Sequence, residues 1–422
     1  MTIDVKILGG GGEVGRLAVM VRGDDTGVLL DYGVNFAEDG GEPLFPEVVT
    51  PKNIDAIVIS HAHLDHMGAA PLYYISTTKP LYTSSVTKDL MKPMFEDFLH
   101  ISGYYLPFEY LEVLKMWENT IPVRYKDTVT VKNVELKFLN AGHIPGSLSV
   151  ILRFKESSIL FTGDFNTVET QLVRAADYAE AKDVEYLIIE ATYALYTHPR
   201  RLDVERRFIE SVREVLEDGG IVLVPAFSLS RSQEMLCVLY RYGIEYPIYY
   251  DGMVRVINKI LLGNKSFVRD AKLLEKAIRR SKEVRGWRDR RSIRGPAVIV
   301  SSSGMLKGGP SVHYMKSLCE NEKNAVFLVS FQASDTPGRR VLEKGVFGVV
   351  ERPVKARVEW FDFSSHCGRR EILETIRSLP NLKKVIIVHS EEGAAYKLAE
   401  FIVENYGIEA IAARNLQDIV LD

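Results

Sequence analysis

The sequence predicts an α/β protein with a strand-rich first part and a layered second part. Up to about residue 180, short apolar runs alternate with turn residues, a pattern typical of strands. From about Ala181, apolar runs alternate with amphipathic helical stretches, as in layered α/β proteins. The composition of the 422 residues, 46% hydrophobic and 26% charged, is globular and excludes a disordered or collagenous chain. This length predicts two or three domains, at about 100–200 residues each.

Each element is predicted from its own local pattern. In the first part, strands are predicted at residues 3–8, 17–22, 28–31, 56–60, 128–131, 135–139, 149–154 and 158–162. The main helical pattern there covers residues 86–100. In the second part, strands are predicted at residues 186–189, 220–224, 297–300, 325–329 and 384–388, and amphipathic helices at residues 202–217 and 230–242. The chain contains no internal repeat and no flexible linker between the two parts.

Charge, apolar runs and cysteines exclude several classes of protein. The formal net charge is −3, so bulk charge does not indicate a nucleic-acid-binding protein. No apolar run approaches the ~20 residues of a membrane span, and the first residues lack the features of a secretory signal. Cys237, Cys319 and Cys367 are far apart in the sequence, which favours reduced thiols. We therefore expect a cytoplasmic protein without membrane contact.

One segment, residues 271–294, is strongly basic and is called the basic segment. It contains ten lysines and arginines, among them Arg279, Arg280 and Arg288, and three acidic residues, for a net charge of +7. Clustered cations are typical of phosphate-backbone contacts, and a solvated helix face explains them equally well. Trp287 in this segment could stack on a base, but we favour packing against protein.

Residues 10–15 match the G-x-G-x-x-G pattern of dinucleotide-binding proteins. That pattern requires a helix that begins at the glycines. The residues that follow, 16–22, are instead short and strand-like, and Gly23 comes directly after them. The sequence therefore favours a glycine-rich turn between two antiparallel strands, which would also allow a close approach to a ligand.

Residues 61–68, which follow a predicted strand, concentrate side chains that bind metals, and we call them the histidine loop. His61, His63, Asp65 and His66 lie within six residues, a density that packing does not explain. In an extended loop, residues i and i+2 project on the same side, so His61 and His63 would form one set. Asp65 and His66 begin a second set as the chain turns. Imidazole and carboxylate are ligands that Zn²⁺ favours in hydrolytic sites, so the loop predicts a metal site.

Other predicted strands end in four further residues of the same kinds: Asp31, His143, Asp164 and His389. Each of them alone is more simply explained as a capping or turn residue. Together with the histidine loop they predict one binuclear site. The set uses five of the nine histidines, and His366 is a sixth candidate.

The histidine loop and these strand-end residues resemble the signature of the metallo-β-lactamase superfamily. The resemblance implies an αβ/βα sandwich with ligands at strand ends around two zinc ions. One zinc ion would be held by His61, His63 and His143. The other zinc ion would be held by Asp65, His66 and His389. Asp164 would bridge the two ions, and Asp31 would orient a ligand histidine.

The branch of the superfamily is indicated by spacing. More than 200 residues separate Asp164 from His389, whereas lactamase- or glyoxalase-like members have a short gap there. The long gap resembles the inserted α/β β-CASP domain of members that cleave RNA or DNA. Glu190, His366 and His389 resemble motifs A, B and C of that family, in which a histidine at motif C accompanies RNA substrates. Residues 225–234 and 302–309 also resemble β-CASP loops, so the resemblance covers essentially the whole chain.

The resemblance also implies a domain organisation. The metallo-β-lactamase domain would comprise residues 1–195 and 351–422, and the β-CASP domain residues 196–350. The chain resembles the short archaeal cleavage-and-polyadenylation-specificity-factor-like ribonucleases first and RNase J next. Because the catalytic part starts at the first residue, no preceding RNA-binding extension is expected. The Phe-Ser-Ser-His context of His366 differs from the His-x-Ser-Gly-His of RNase J, which disfavours a 5′-phosphate pocket of that kind.

The activity implied is a zinc-dependent ribonuclease with two zinc ions per chain, acting in RNA processing or decay. Its products would carry 5′-phosphate and 3′-hydroxyl ends. We favour endonucleolytic cleavage, and a 5′–3′ exoribonuclease of RNase J type is the alternative. A non-catalytic RNA-processing subunit would lack ligands that this chain has, and a small-molecule hydrolase would have the short gap.

Catalytic roles are predicted for His366, Glu190 and Asp65. His366 is the one site histidine not needed as a ligand, so it is the expected general acid, and Glu190 would hold it cationic. The RNA substrate is expected to be single-stranded, and a homodimer is one expected state. Candidate RNA contacts are His198, Arg231, Lys307, Arg279, Arg280 and Arg288.

Overall fold

The structure is a computed structural model that describes residues 2–37, 41–102, 105–348 and 350–422. The chain forms two compact units. The first unit comprises Met1–Glu169, Arg174–Thr197 and Ser365–Asp422, and the second comprises Thr170–Val173 and His198–Ser364. The domain limits expected from the sequence stay a prediction.

The first stretch of the chain contains most strands of the first unit. They are β1 Ile3–Gly9, β2 Ala18–Gly23, β3 Thr26–Leu30, β4 Asn35–Phe36, β5 Pro43–Leu44, β6 Ala56–Val58, β7 Leu81–Ser84, β8 Thr120–Val123, β9 Thr128–Val131, β10 Val134–Asn140, β11 Leu148–Arg153, β12 Ser158–Phe161 and β13 Tyr186–Glu190. The helices are α1 Leu64–Met67, α2 Ser85–Ser102 and α3 Tyr110–Glu118. The apolar face predicted for α2 buries Leu90, Met91 and Phe95.

The second unit is one α/β layer structure. Its strands are β14 Ile221–Pro225, β15 Ile248–Asp251, β16 Lys282–Glu283, β17 Ala297–Ser301, β18 Ala325–Leu328, β19 Val346–Phe347, β20 Arg352–Pro353 and β21 Arg357–Trp360. Its helices are α4 Arg201–Glu217, α5 Arg231–Arg241, α6 Val254–Gly263, α7 Ala271–Arg280, α8 Trp287–Ser292, α9 Gly309–Leu318 and α10 Pro337–Lys344. Six strands pair in the order β16-β15-β17-β14-β18-β21, and every described pairing among them is parallel.

The last stretch of the chain returns to the first unit as α11 Arg369–Arg377, β22 Lys384–Val388, α12 Glu392–Tyr406, β23 Glu409–Ala412 and β24 Asp418–Leu421. Two seven-stranded sheets result, with the orders β24-β1-β2-β3-β6-β7-β8 and β23-β22-β13-β12-β11-β10-β9. Their facing sides pack through a core of branched and aromatic side chains, including Val5, Val19, Phe138, Val150 and Ile386. The opposite side of the second sheet packs on α11 and α12. This layering confirms the predicted α/β class.

Parallel pairing brings the ends of distant strands to one edge of each sheet. In the first sheet β3 runs parallel to β6, and in the second sheet β12, β13 and β22 are parallel. A hydrogen bond from the Leu148 N–H to the Ser60 carbonyl (2.9 Å) joins the two edges. Residues directly after these strands therefore converge, although they are far apart in the sequence.

Residues 10–15 form no helix and instead join the antiparallel strands β1 and β2, as the sequence indicates. Cys237, Cys319 and Cys367 are buried free thiols, as expected. Among the described residues, no helix combines the length and apolar character needed to cross a membrane.

Candidate metal centre

The histidine loop is held in place mainly by backbone contacts. His61 and His63 lie in an extended segment after β6, and Asp65 and His66 lie in the single-turn helix α1. The carbonyls of Asp65 and His66 accept hydrogen bonds from the Leu17 and Tyr32 N–H groups, both at 2.8 Å. Gly33 lies so close that a Cβ atom there would be 1.7 Å from the Asp65 carbonyl oxygen. Glycine at this position is therefore what lets the loop approach the first sheet.

Two strand-end residues adopt a backbone conformation that L-residues rarely adopt. Asp31, directly after β3, has φ +55°, and His389, directly after β22, has φ +50°. Asp and His are among the residues that tolerate this region best, and such strain is often found at functional sites. The His389 N–H donates to the Gly10 carbonyl at 2.6 Å, so the glycine-rich turn supports this end of the site.

One group of donors surrounds His63. The His61 Nε2 and His143 Nε2 atoms lie 3.0 and 3.3 Å from His63 Nδ1. Asp164 Oδ2 lies 3.7 Å from His61 Nε2 and 3.6 Å from His143 Nε2. One ligand atom from each of these four residues lies within 4.8 Å of the others, close enough to hold one metal ion.

A second group of donors adjoins the first. His66 Nε2 lies 3.8 Å from Asp65 Oδ2, and His389 Nε2 lies 3.5 Å from the same oxygen. Asp164 Oδ2 is 3.1 Å from His66 Nε2, and Asp164 Oδ1 is 3.5 Å from His389 Nδ1. Asp164 therefore contacts both groups, as expected of a bridging carboxylate.

Three buried atoms at the centre of these groups make no hydrogen bond with any described residue: His66 Nε2, Asp164 Oδ1 and His389 Nε2. Buried polar atoms are normally paired, because leaving one unpaired costs about 1–3 kcal/mol. All three face other metal-binding side chains. The donor set and these orphaned atoms fit a bound cation.

Burial and mutual repulsion keep three of the histidines neutral. Burial, together with neighbouring histidines, holds the pKa of His61 and of His143 well below the usual range. Burial likewise lowers the pKa of His63 to about 4. A neutral imidazole has the free lone pair that a metal ligand needs.

The carboxylates have the opposite effect on His66. Burial lowers its pKa, but Asp164, Asp65 and Asp31 outweigh burial and hold the pKa of His66 well above the usual range. For Asp164, burial favours the protonated form, but His66 and His389 outweigh it and lower the pKa well below normal. The carboxylates at this place therefore favour a nearby positive charge.

Several histidines are oriented by groups behind them. Asp31 Oδ2 contacts His66 Nδ1 at 2.8 Å and accepts from the Ser60 hydroxyl at 2.7 Å. The Ser60 hydroxyl in turn lies 3.0 Å from His61 Nδ1. These contacts occupy each Nδ1 and leave each Nε2 directed at the centre. Asp31 thus lies where the sequence predicted an orienting carboxylate.

Two orienting groups were missed by the sequence reasoning. His143 Nδ1 lies 2.9 Å from the Ser365 carbonyl, and His389 Nδ1 lies 3.1 Å from the Thr192 hydroxyl. Thr192 and Ser60 each lie within two residues of a predicted site residue, which is a usable signal. A backbone carbonyl such as that of Ser365 leaves no mark in the sequence.

His366 and Glu190 form a pair beside the two groups. His366 Nδ1 lies 3.0 Å from Glu190 Oε1, and the other carboxylate oxygen of Glu190 accepts from the Thr192 N–H at 2.8 Å. Burial lowers the pKa of His366, but Glu190 and then Asp164 outweigh it and raise this pKa to about 9. The His366 side chain is 20% exposed while that of Glu190 is fully buried. His366 is therefore placed to meet a solvent-borne ligand while Glu190 holds it from behind.

The candidate RNA contacts lie in the second unit. His198 Nδ1 contacts Asp362 Oδ2 at 2.7 Å. Burial raises the pKa of Asp362, but His198 and, more weakly, Arg231 outweigh it and lower this pKa. Lys307 is exposed. Arg279, Arg280 and Arg288 of the basic segment are also exposed. Their roles in RNA contact stay predictions.

Comparisons with known proteins agree with this architecture. Residues 11–209 match the metallo-β-lactamase superfamily, residues 232–341 the Beta-Casp domain, and residues 351–413 the Zn-dependent metallo-hydrolase RNA specificity domain. The chain therefore belongs to the β-CASP branch of the metallo-β-lactamase superfamily, as the motifs predicted. That family binds divalent metal ions through His and Asp clusters of this kind.

Individual relatives are archaeal proteins. RNase aCSPSF2 of Saccharolobus solfataricus is 47% identical, covering 100% of this chain and 86% of its own. Probable RNase MJ4 of Methanocaldococcus jannaschii is 35% identical, covering 95% and 96%. Transcription termination factor FttA of Pyrococcus horikoshii is 35% identical, covering 99% and 71%. A crystal structure of a protein of unknown function from Enterococcus faecalis V583 shares the fold, with a TM-score of 0.65, 16% identity and complete coverage of both chains.

Proposed function

We propose that this protein is a zinc-dependent ribonuclease that hydrolyses phosphodiester bonds of single-stranded RNA to 5′-phosphate and 3′-hydroxyl ends. The observation that carries the proposal is the convergence of seven His and Asp side chains beside the His366–Glu190 pair in the first unit. Relatives that carry ribonuclease names, and the match to an RNA specificity domain, support RNA as the substrate. Imidazole and carboxylate donors favour zinc over magnesium or calcium, which prefer oxygen ligands.

The ligands are assigned from the two groups of donors. One zinc ion would be held by His61, His63 and His143. The other would be held by Asp65, His66 and His389. Asp164 would be shared, because its carboxylate contacts both groups. When bound, such a metal pair supplies an activated water nucleophile and neutralises charge on the phosphate.

The side chains of the protein supply the remaining steps. In the protonated state, His366 has a proton on Nε2 to give to the leaving 3′-oxygen, while its Nδ1–H is held by Glu190. The buried carboxylate of Glu190 favours the protonated imidazole and fixes the plane of the ring. Asp65, whose side chain is 35% exposed, is the ligand placed to contact the nucleophilic water as well.

Endonucleolytic cleavage is the favoured mode, because the sequence around His366 differs from that of the RNase J 5′-exonucleases. The alternatives are a 5′–3′ exoribonuclease and a non-catalytic RNA-processing subunit. The complete set of donors in this chain disfavours the non-catalytic alternative.

One experiment tests the function and the mode together. Purified protein is incubated with circular RNA and with linear RNA bearing a 5′-monophosphate or a 5′-triphosphate, each with and without a chelator. We expect cleavage of all three, loss of cleavage with chelator and recovery on addition of Zn²⁺. Cleavage restricted to the 5′-monophosphate substrate would establish the exonuclease, and chelator-insensitive or absent cleavage would contradict the proposal.

The orienting role of Asp31 gives a quantitative prediction. Asp31→Asn keeps the size of the side chain but removes the charge that faces His66 Nδ1. Because orienting carboxylates raise ligand basicity and fix the ring, we expect zinc affinity to fall about 10- to 100-fold. Metal competition with a chromophoric chelator measures this fall. Asp55→Asn, which removes another strand-proximal carboxylate of the first unit, is the control and should leave affinity unchanged.

A further inference from the structure

The structure corrects one expectation about the basic segment. Trp287, for which the sequence favoured packing against protein, is 57% exposed at the start of α8. The guanidinium of Arg291 lies over its ring, 4.7 Å from the ring centroid. The indole is thus presented to solvent next to a cation rather than serving as a core anchor. Packing fails as an explanation because the neighbouring positions, Arg288 and Asp289, are exposed too.

The exposed indole stands on a fixed support. Arg290 of α8 donates to the buried carboxylate of Asp251 through Nε (2.6 Å) and Nη2 (3.1 Å). The Tyr314 hydroxyl donates to the same carboxylate at 2.8 Å. Bidentate arginine–carboxylate pairs fix orientation as well as distance. Val284 and Ile293, which flank α8, are buried in the core of the second unit. Trp287 is therefore pre-positioned on an anchored helix.

The cations around Trp287 divide into structural and available ones. Arg290 is committed to Asp251, and Arg280 donates to the Glu245 carbonyl at 2.6 Å. Arg285 is 78% exposed although it lies 3.5 Å from Glu283. Arg279 and Arg288 are exposed, and neither forms an ion pair within 4.0 Å among the residues described. The segment thus retains exposed positive charge after its internal contacts are satisfied.

We propose that Trp287 and the exposed arginines of the basic segment form an accessory binding surface for single-stranded RNA on the second unit. An unpaired base stacks on the indole, and the neighbouring phosphates contact the arginines. Duplex bases are already stacked on each other, so an exposed indole selects unpaired ones. The inference rests on the proposed function only in taking RNA as the ligand, and it requires no contact with the metal centre.

Binding of the metal-loaded protein to a labelled phosphorothioate oligouridylate, which resists hydrolysis, tests this surface by fluorescence anisotropy. We expect Trp287→Leu to weaken binding about fivefold or more, and Trp287→Phe to retain most of the affinity, because the phenyl ring still stacks. The double variant Arg279→Glu and Arg288→Glu should bind more weakly. The slope of its log affinity against log salt should be shallower by about 0.7 for each phosphate that the arginines no longer neutralise.

Two matched controls separate this surface from general effects. Arg206→Glu with Arg352→Glu makes the same charge change on the same unit, and Tyr396→Leu removes an exposed aromatic ring from the first unit. Both should bind the oligonucleotide nearly as well as the unmodified protein.

Three results would overturn the accessory surface: unchanged binding of Trp287→Leu, equal losses for the Phe and Leu variants, or equal losses in the charge-reversal control. A surface that served a protein partner would give the first of these results. Because binding is measured without cleavage, an inactive protein that still shows the predicted losses would contradict the ribonuclease proposal alone.

Discussion

Replacing His366 by alanine is expected to reduce RNA cleavage by about 100- to 10,000-fold, the usual contribution of a general acid or base. The protein should keep its metal ions, because His366 contacts Glu190 and lies outside both groups of donors that could hold them. Elemental analysis measures the metal, and initial rates on RNA measure the activity. Loss of metal from this variant would show that His366 is a ligand.

A chemically activated substrate distinguishes proton donation from a structural role of His366. The leaving group of bis(p-nitrophenyl) phosphate is stable as an anion and needs no proton. We therefore expect His366→Ala to retain most of its rate on this compound while RNA cleavage collapses. His100→Ala, which removes an exposed histidine at the end of α2, is the matched control and should leave both rates unchanged. An equal fall on both substrates would contradict the acid role.

Replacing Asp164 by asparagine is expected to have the largest effect, because its carboxylate is the one group in contact with both sets of donors. An amide keeps the shape but supplies one neutral oxygen and no charge. We expect the zinc content to fall below two per chain and RNA cleavage to drop to background. Inductively coupled plasma mass spectrometry and the RNA assay measure the two effects.

The control for this second prediction is Asp418→Asn, which removes an exposed carboxylate of the same unit. Circular dichroism should show that both variants are folded, so that a loss of metal is not a loss of structure. Full activity of a folded Asp164→Asn protein would remove the basis for a shared carboxylate and, with it, for the assignment of two zinc ions.

Much of the fold could be predicted because its strands carry strong local patterns. Residues 135–139 alternate between buried and half-buried positions as β10, and the apolar run 384–388 is the buried strand β22. The terminal strand β24 escaped prediction. It is short, and it is stabilised as a strand by pairing with β1, whose residues lie about four hundred positions away. Such a pairing leaves no local pattern.

The candidate site was predictable to a similar degree and for a similar reason. The histidine loop is dense enough to be read locally, and His143, Asp164 and His389 follow apolar runs. The distances between them depend on parallel pairing of β12, β13 and β22, which no single segment encodes. Trp287 shows the limit most clearly, since an aromatic residue in a charged helix gives no local indication of whether it is covered.

The order of the strands has a consequence for biosynthesis. Glu190 and His366 are separated in the sequence by almost the whole second unit, and His389 and the β24 strand that closes the first sheet come later still. A ribosome must therefore complete nearly the entire chain before the donors can assemble. The nascent polypeptide is consequently inert towards the messenger that encodes it, and hydrolytic competence arises only around the moment of release.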